Sequence, residues 1–473
     1  MRRHQNLTER HRPEPAVGPV GPVGPVRLVR LVRLVSLALL LAAGIARAAS
    51  PAPACERRLL PGGLEAAVER VPGSRLLAVH VLVKNRAAGE PQGRAGIADL
   101  AHRVLLQAGD DPARQALLSR LDAIGADLKA VDDPAIPFDD YYTVEEFSYL
   151  RFQVLDRFRD EGLRLLAELL AKPVVTDATL AAARAAQAEV RARREKGPRA
   201  VAERAWWEAV FPGSWKSRPV YGTADSLEGL TVTEFKDWFG AHFRPGNLVL
   251  TVQTAAPPRV VLRQLASAFA APRAAAGAVP APRAPLPPPA AAGEDKVRSV
   301  TLASRQGYIL AGDVFPVESA DLPALEIAVA LLSERVSFEL REKRGLAYSL
   351  GAGLEGLDGG RLASLTVSMG TRPENVETAR AGIREVLEAF GREALTDREV
   401  ATAVNKARGR FLMRCLLSLN RAFYMGLDLY RGAPPCAYRG RPDGWKSVTP
   451  ADVRRVRDRY IKPPAFRWIL VHP

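Results

Sequence analysis

The chain has 473 residues, of which 47% are hydrophobic and 25% are charged. This composition excludes an intrinsically disordered protein, and the length is sufficient for two or three globular domains. The formal net charge is +15. However, the basic residues are spread along predicted helices, and no basic block interleaved with aromatic residues occurs. The sequence therefore does not favour a nucleic-acid-binding protein.

Residues 1–48 are predicted to be a signal peptide with a low-complexity lead. The basic lead, which contains "VGPVGPVGPVRLVRLVRLV", is followed by the apolar run Leu34–Ile45 and by Ala46-Arg47-Ala48. This order is typical of a secretory signal, and the run is too short to span a bilayer, which takes about 20 residues. We therefore predict an exported, periplasmic protein without a membrane span. Without this segment, which holds eight Arg and two Glu, the net charge falls to about +9.

Three cysteines occur, at positions 55, 415 and 436. An odd number in an exported protein leaves at least one of them unpaired. A disulfide between Cys415 and Cys436 is one possibility. Cys55 follows "PAPA", which is a poor context for attachment of a lipid.

Short β-rich segments alternate with long amphipathic segments along the rest of the chain. The predicted strands are residues 76–84, 147–155 and 360–370, and the predicted helices are residues 161–171, 178–195 and 373–391. Strands mixed with long helices predict an α+β fold in which a sheet is covered by helices on one face.

The sequence also contains an internal duplication. Thr231 and Pro245 of "LTVTEFKDWFGAHFRPGNLVLTV" correspond to Thr449 and Pro463 of "VTPADVRRVRDRYIKPPAFRWILV", and the offset is 218 in both cases. The segments "VTDATLAAARAAQAEV" and "LTDREVATAVNKARGR" match at a nearly equal offset. Two matches at one spacing indicate a doubled domain.

The two copies are separated by a segment rich in Pro, Ala and Arg, "PRAAAGAVPAPRAPLPPPA". Such a composition builds no core and is typical of a semi-rigid linker. We therefore predict a first domain at residues 49–272, a linker at 273–296 and a second domain at 297–473.

Four segments of the chain resemble the pitrilysin/insulinase family, the zinc peptidases with an inverted H-x-x-E-H motif that include the mitochondrial processing peptidases. These segments are "LLPGGLEAAVERVPGSRLLAVHVLVK", "GIADLAHRVLLQAGD", "SRPVYGTADSLEGLTVTEFKDWFGAHFRPGNLVLTV" and "LREKRGLAYSLGAG". The resemblance implies two similar domains, each with a mainly antiparallel sheet, that form half of a clamshell around a peptide chamber.

The helix "GIADLAHRVLLQAG" aligns with the family's zinc helix but lacks its chemistry. The resemblance places Asp99 and Arg103 at the two His ligands, His102 at the catalytic Glu and Glu189 at the third ligand. Lys129 falls where the family has a substrate-binding Asn. Because Arg103 would lie beside the cation, we predict that no zinc is bound and that Arg103 pairs with Glu189 instead. The alternatives for this helix are a surface that lines the substrate chamber and a metal site made of Asp99, His102 and Glu189.

The segment "LREKRGLAYS" supplies two further candidate residues. The resemblance implies that Arg341 and Tyr348 contact a peptide substrate, because a Tyr hydroxyl can stabilise an oxyanion and an Arg fork can bind a peptide carbonyl. The structural alternative is a helix end closed by Gly345, followed by a Tyr packed in the core.

These features predict a non-catalytic subunit that completes the chamber of an active H-x-x-E-H partner, in a heterodimer or with a second copy of itself. Two other functions stay open. One is a peptide-binding or assembly protein without a protease partner, and the other is a divergent but active zinc metalloendopeptidase.

Overall fold

The computed structural model describes residues 55–133, 142–194, 196–270, 282, 284–291 and 297–473. The predicted signal peptide and most of the predicted linker lie outside these residues. Residues 53–473 form one compact unit. None of the helices in the described ranges is long and apolar enough to cross a membrane.

The described chain contains thirteen helices and eleven strands. The strands are β1 (Cys55–Leu60), β2 (Leu64–Arg70), β3 (Leu76–Lys84), β4 (Asp127–Lys129), β5 (Phe147–Leu155), β6 (Leu248–Thr254), β7 (Val297–Thr301), β8 (Gly307–Pro316), β9 (Ala347–Leu357), β10 (Leu362–Thr371) and β11 (Arg467–His472). The helices are α1 (Ile97–Leu105), α2 (Pro112–Ala123), α3 (Arg159–Ala171), α4 (Asp177–Arg194), α5 (Pro198–Val210), α6 (Val232–His242), α7 (Pro258–Ala268), α8 (Leu322–Ser337), α9 (Val376–Arg392), α10 (Asp397–Arg414), α11 (Ser418–Tyr430), α12 (Arg441–Lys446) and α13 (Pro450–Tyr460).

The strands form two sheets, and the predicted α+β fold with two mainly antiparallel sheets is confirmed. The first sheet has the order β1-β2-β6-β3-β5-β4 and the second has the order β7-β11-β8-β10-β9. Each sheet contains one parallel pair, β2 with β6 inside the first sheet and β7 with β11 at the edge of the second, and the other pairs are antiparallel. The second sheet therefore repeats the first from β2 onwards.

The helices repeat with the same spacing as the sequence motifs. Helix α10 lies 220 residues after α4 at both ends, and α11 begins 220 residues after α5. Both α6 and α13 begin after a Thr whose hydroxyl accepts a hydrogen bond from the third residue of the helix. The shared N-cap explains why these two helices were recognisable as copies in the sequence.

One arrangement differs from the prediction of helices on a single face of each sheet. Helix α11 of the second copy packs on β3 and β6 of the first sheet, and helix α5 of the first copy packs on β8 and β11 of the second sheet. Alternate residues of each sheet therefore face opposite cores. On the first sheet Ala67, Leu82 and Val249 belong to the core of the second copy, although their neighbours in sequence belong to the first. Residues of the first copy thus contribute to a core of the second.

Candidate functional site

Helix α1 is completely buried and is fixed at its start by a carboxylate. Gly96 has φ of +88°, and a Cβ there would lie 2.5 Å from the backbone nitrogen of Gly222, so only glycine fits. The Glu90 Oε1 atom accepts hydrogen bonds from the backbone N–H groups of Gly96 (3.1 Å) and Ala98 (3.3 Å). Burial raises the pKa of Glu90 to about 7. These contacts fix which helix residues face the neighbouring helix α4.

Asp99 and Arg103 form a buried ion pair on that face. The Arg103 Nε donates to Asp99 Oδ2 at 2.7 Å, and the side chains are only 6% and 1% exposed. Gln187 of α4 completes the arrangement, because its Nε2 donates to Asp99 Oδ2 at 3.0 Å and to the Gly96 carbonyl at 2.8 Å. The carboxylate of Asp99 therefore has two neighbours, a guanidinium and an amide.

A second carboxylate, Asp132, extends this network. Its Oδ1 lies 3.8 Å from Arg103 Nη2, and its Oδ2 accepts hydrogen bonds from Arg194 Nη2 at 2.8 Å and from the Tyr221 hydroxyl at 3.0 Å. Two carboxylates thus face two guanidinium groups, and their charges balance. We refer to Asp99, Arg103, Asp132, Gln187 and Arg194 as the charge cluster.

The shifts in pKa follow from burial and pairing. Burial raises the pKa of the Asp99 carboxyl, and the charge of Arg103 opposes this shift. Burial also acts against the Arg103 guanidinium, but the attraction of Asp99 outweighs it and raises the pKa of Arg103. Arg103 therefore stays charged, and its charge favours the ionised form of Asp99.

His102 faces away from the charge cluster. Its Nδ1 lies 3.0 Å from the Ala130 carbonyl and its Nε2 lies 2.8 Å from the Ser148 hydroxyl. Since a carbonyl only accepts, Nδ1 carries the proton and Nε2 accepts from the serine. Burial lowers the pKa of His102 to about 4, so the ring is neutral and both nitrogens are occupied. His102 connects α1 to the segment after β4 and to β5.

The predicted ion pair between Arg103 and Glu189 is wrong. The Glu189 side chain is 62% exposed and pairs with Arg193 on its own helix. Gln187, two residues earlier, occupies the buried position instead. A signal for this existed in the sequence: Leu180, Ala183, Gln187 and Val190 form a stripe with helical spacing, and Glu189 lies off that stripe.

These residues do not fit a zinc ion. A zinc site needs deprotonated donors that converge on one point, whereas the Asp99 carboxylate already binds a guanidinium and an amide N–H. The guanidinium would lie within the coordination sphere and would repel a cation. His102 offers no free nitrogen, and Glu189 lies outside the network.

Lys129 is at the edge of the first sheet. It is the last residue of the three-residue strand β4, which pairs with β5 only, and it is half-buried. In the pairing of β4 with β5, Lys129 lies opposite Arg151. Its assignment to the family's substrate-binding position stays a prediction.

Arg341 and Tyr348 lie around one turn of the second copy. Arg341 is in a π-helical extension of α8, Phe338–Lys343, where its Nε donates to Glu342 at 2.8 Å and its side chain is half-exposed. Gly345, with φ of +62°, ends this extension. Tyr348 follows as the second residue of β9, and its side chain lies outside the described part of the structure. Their substrate-binding roles stay predictions.

The cysteines pair differently from the possibility raised by the sequence. Cys55 and Cys436 form a disulfide with a Cα–Cα distance of 6.4 Å, and Cys415 is free. The bridge connects the first strand to the segment after α11, across 381 residues. Glu69 lies close to both sulfurs, but its carboxylate pairs with Arg439 and accepts a hydrogen bond from the Tyr438 hydroxyl at 2.6 Å.

Comparison with known proteins identifies relatives over about three quarters of the chain. The family model described as the peptidase M16 inactive domain matches residues 229–407. An uncharacterized zinc protease of Streptomyces coelicolor is 25% identical over 365 residues, which cover 75% of each chain. An uncharacterized zinc protease of Mycobacterium leprae is 26% identical over 379 residues, which cover 78% of this chain and 80% of the relative.

Solved structures with low sequence identity share the fold. The peptidase M16 inactive domain from Pseudomonas fluorescens has a TM-score of 0.76 at 16% identity, over 89% of this chain and 98% of that chain. The periplasmic protease PqqL from Escherichia coli has a TM-score of 0.71 at 12% identity, over 90% of this chain but only 47% of that chain. The resemblance to the pitrilysin/insulinase-like metallopeptidases is therefore confirmed, through the match of residues 229–407 to the peptidase M16 inactive domain and through the shared fold.

Proposed function

We propose that this chain is a non-catalytic subunit of an exported M16-type metallopeptidase and that it completes the peptide chamber of an active partner. The observation that carries the proposal is the charge cluster. Helix α1 aligns in sequence with the family's zinc helix and is buried, but Asp99 pairs with the Arg103 guanidinium and accepts a hydrogen bond from the Gln187 amide. The site thus already holds the charge that a metal ion would supply.

Among the residues that the structure describes at this site, none is placed to activate water. A general base must have a free acceptor within hydrogen-bond reach of the water. The Nε2 of His102 accepts from Ser148, its Nδ1 is protonated, and the ring faces the strands rather than Asp99. The charge cluster is therefore a structural replacement for a metal centre, and the divergent active peptidase is the weaker alternative.

The need for a partner is inferred from size and from the fold. This chain aligns with less than half of the periplasmic protease PqqL, so a molecule of that length has room for a second half. A single half leaves a substrate open to water, and preorganised donors work best in an enclosed site. The partner would be an H-x-x-E-H chain, and a second copy of this chain is the other possible partner.

Export is supported by two independent features. The first is the order of basic lead, apolar run and A-x-A site in residues 1–48. The second is the disulfide between Cys55 and Cys436, because disulfides persist in oxidising compartments such as the periplasm.

Peptide cleavage by a reconstituted pair tests the proposal. The chain alone should cleave no peptide, and adding a cognate H-x-x-E-H subunit, identified by co-purification from the native cell, should give more activity than that subunit shows alone. In the mixture Tyr348→Phe should lower kcat by about 10–1000-fold if its hydroxyl stabilises an oxyanion. Arg341→Ala should mainly raise KM if Arg341 binds substrate and transition state equally.

Subunit association, measured by size-exclusion chromatography, is the control for these variants. Unchanged kinetics in both variants with intact association would assign Arg341 and Tyr348 to packing. Failure to associate with any H-x-x-E-H subunit would contradict the proposal and would favour the peptide-binding protein without a protease partner.

A further inference from the structure

Four of the five most exposed large apolar residues of the described chain lie together where α10 meets α11. Their side chains are large, and each is more than half exposed: Leu412 (53%), Met413 (71%), Leu416 (75%) and Leu417 (63%). We call these four residues the apolar corner. They expose roughly 500 Å², which is the size of the largest apolar patch on a typical monomeric protein, and such patches are often functional.

The corner is held rigidly in this exposed position. Phe411 is buried against Tyr424 and Trp445, with ring centroids 4.9 and 5.5 Å away. Arg421 Nη1 donates to the carbonyls of Cys415 (2.6 Å) and Leu416 (3.1 Å). Phe411 and Arg421 thus fix the backbone of the turn between α10 and α11. Because this backbone is fixed, the side chains of Leu416 and Leu417 remain exposed to solvent.

The first copy of the fold shows that the corner is not a requirement of the fold. At the offset of 220, residues 412–417 correspond to residues 192–197. The first copy has the sequence "ARREKG" at this turn and the second has "LMRCLL". The same turn between equivalent helices can therefore be charged, so the apolar residues of the second copy need a separate explanation.

The surroundings of the corner are basic. Lys406, Arg410 and Arg414 are exposed and lie four residues apart along α10, and no Asp or Glu occurs between Val400 and Leu427. Within the described residues, neither the Arg410 nor the Arg414 side chain has a salt-bridge partner, whereas Lys406 pairs with Glu334 at 2.8 Å. Two free guanidinium groups therefore flank the apolar side chains.

This combination fits an anionic lipid surface better than a protein. A second copy of the chain would bring the same arginines together in a two-fold interface, where they would repel. A stable protein interface buries about 800 Å² on each partner, which is more than the corner offers. Side chains that protrude can instead insert among lipid headgroups while guanidinium groups bind the phosphates. We propose that the apolar corner docks this protein on an anionic membrane surface.

Co-sedimentation with lipid vesicles tests this inference. Vesicles of equal parts phosphatidylglycerol and phosphatidylcholine should bind the chain, and vesicles of phosphatidylcholine alone should bind it much more weakly. The double variant Leu416→Ser/Leu417→Ser should bind the anionic vesicles at least about tenfold more weakly. Arg410→Gln/Arg414→Gln should weaken binding to the anionic vesicles only, and added salt should weaken it further in the wild type.

Leu59→Ser is the matched control, because Leu59 is a 61% exposed leucine on β1, outside the corner. All variants share the same N-terminal segment, so differences between them report on the corner, and circular dichroism checks that each one is folded. Two results would overturn the inference: equal vesicle binding by the corner variant and the control, or a lower oligomeric state of the corner variant without vesicles, which would identify a protein interface. Neither result depends on peptide cleavage with a partner subunit.

Discussion

Replacing Arg103 by Met should destabilise the protein strongly, because it leaves a buried carboxylate without its cation. Asp132 keeps Arg194 and Tyr221 as partners, but Asp99 keeps only the Gln187 amide. Removing one member of a buried ion pair costs about 3–5 kcal/mol of unfolding free energy. Urea unfolding followed by tryptophan fluorescence at pH 7 measures this loss.

The loss should depend on pH in a direction that follows from Asp99. Burial already raises the pKa of Asp99 in the presence of Arg103, and without the guanidinium it rises further. A carboxyl whose folded pKa lies above its unfolded value favours the folded state when protonated, so stability is lost as pH rises through the folded pKa. The deficit of Arg103→Met should therefore be larger at pH 8 than at pH 5.

Arg193→Met is the matched control. Glu189 and Arg193 are four residues apart on α4, as Asp99 and Arg103 are on α1, but both side chains of the α4 pair are at least half exposed. Their separation should cost at most about 0.5 kcal/mol. A second variant, Asp99→Asn/Arg103→Met, removes both charges and should recover most of the stability lost in the single variant. Equal losses in Arg103→Met and Arg193→Met would refute the account of the charge cluster.

Three further results are expected. Burial lowers the pKa of His80 and His242 to about 3 and that of His102 to about 4, so each neutral ring favours the folded state above pH 6.5. The urea concentration at the unfolding midpoint should therefore decrease as the pH is lowered from 6.5 to 4. Protonation of Glu90, whose pKa is raised to about 7, opposes part of this decrease. His80→Leu should reduce this pH dependence, since neither ring nitrogen of His80 has a hydrogen-bond partner in the described structure, and an unchanged profile would contradict the assignment. Cys436→Ser should lower the unfolding free energy by about 2–5 kcal/mol, because it removes the bridge to Cys55. Cys415→Ser should change the unfolding free energy by less than about 0.5 kcal/mol, because Cys415 is free. Equal effects of the two variants in non-reducing urea titrations would rule out this pairing.

The features of the fold that could be predicted are those set by local sequence. The Thr N-caps of α6 and α13 and the Pro-containing turns before β6 and β11 are local signals, and their common offset identified the duplication. Strand β3 was likewise predicted at residues 76–84 from its own β-branched and apolar residues. The exchange of α5 and α11 between the two sheets carries no local signal, because both are ordinary amphipathic helices whose partners lie far away in the chain.

The charge cluster was only partly predictable for the same reason. The prediction that no zinc is bound rests on Asp99 and Arg103 themselves. The partner of Arg103 depended on the rotation of α4, a helix rich in Ala and Arg in which Gln187 and Glu189 are two residues apart and face different directions. Asp132 lies in an irregular segment after β4, and the Cys55–Cys436 pairing spans almost the whole chain, so neither could be placed from sequence spacing.

The zinc content of the purified chain tests the central claim most directly. The chain should be incubated with zinc, dialysed and measured by elemental analysis beside an H-x-x-E-H homologue treated in the same way. We expect about one zinc per chain in the homologue and none above background here, because the Arg103 guanidinium and the Gln187 amide already bind the Asp99 carboxylate. About one zinc per chain after dialysis, lost in Asp99→Asn, would show that this cluster is a metal centre and would contradict the account.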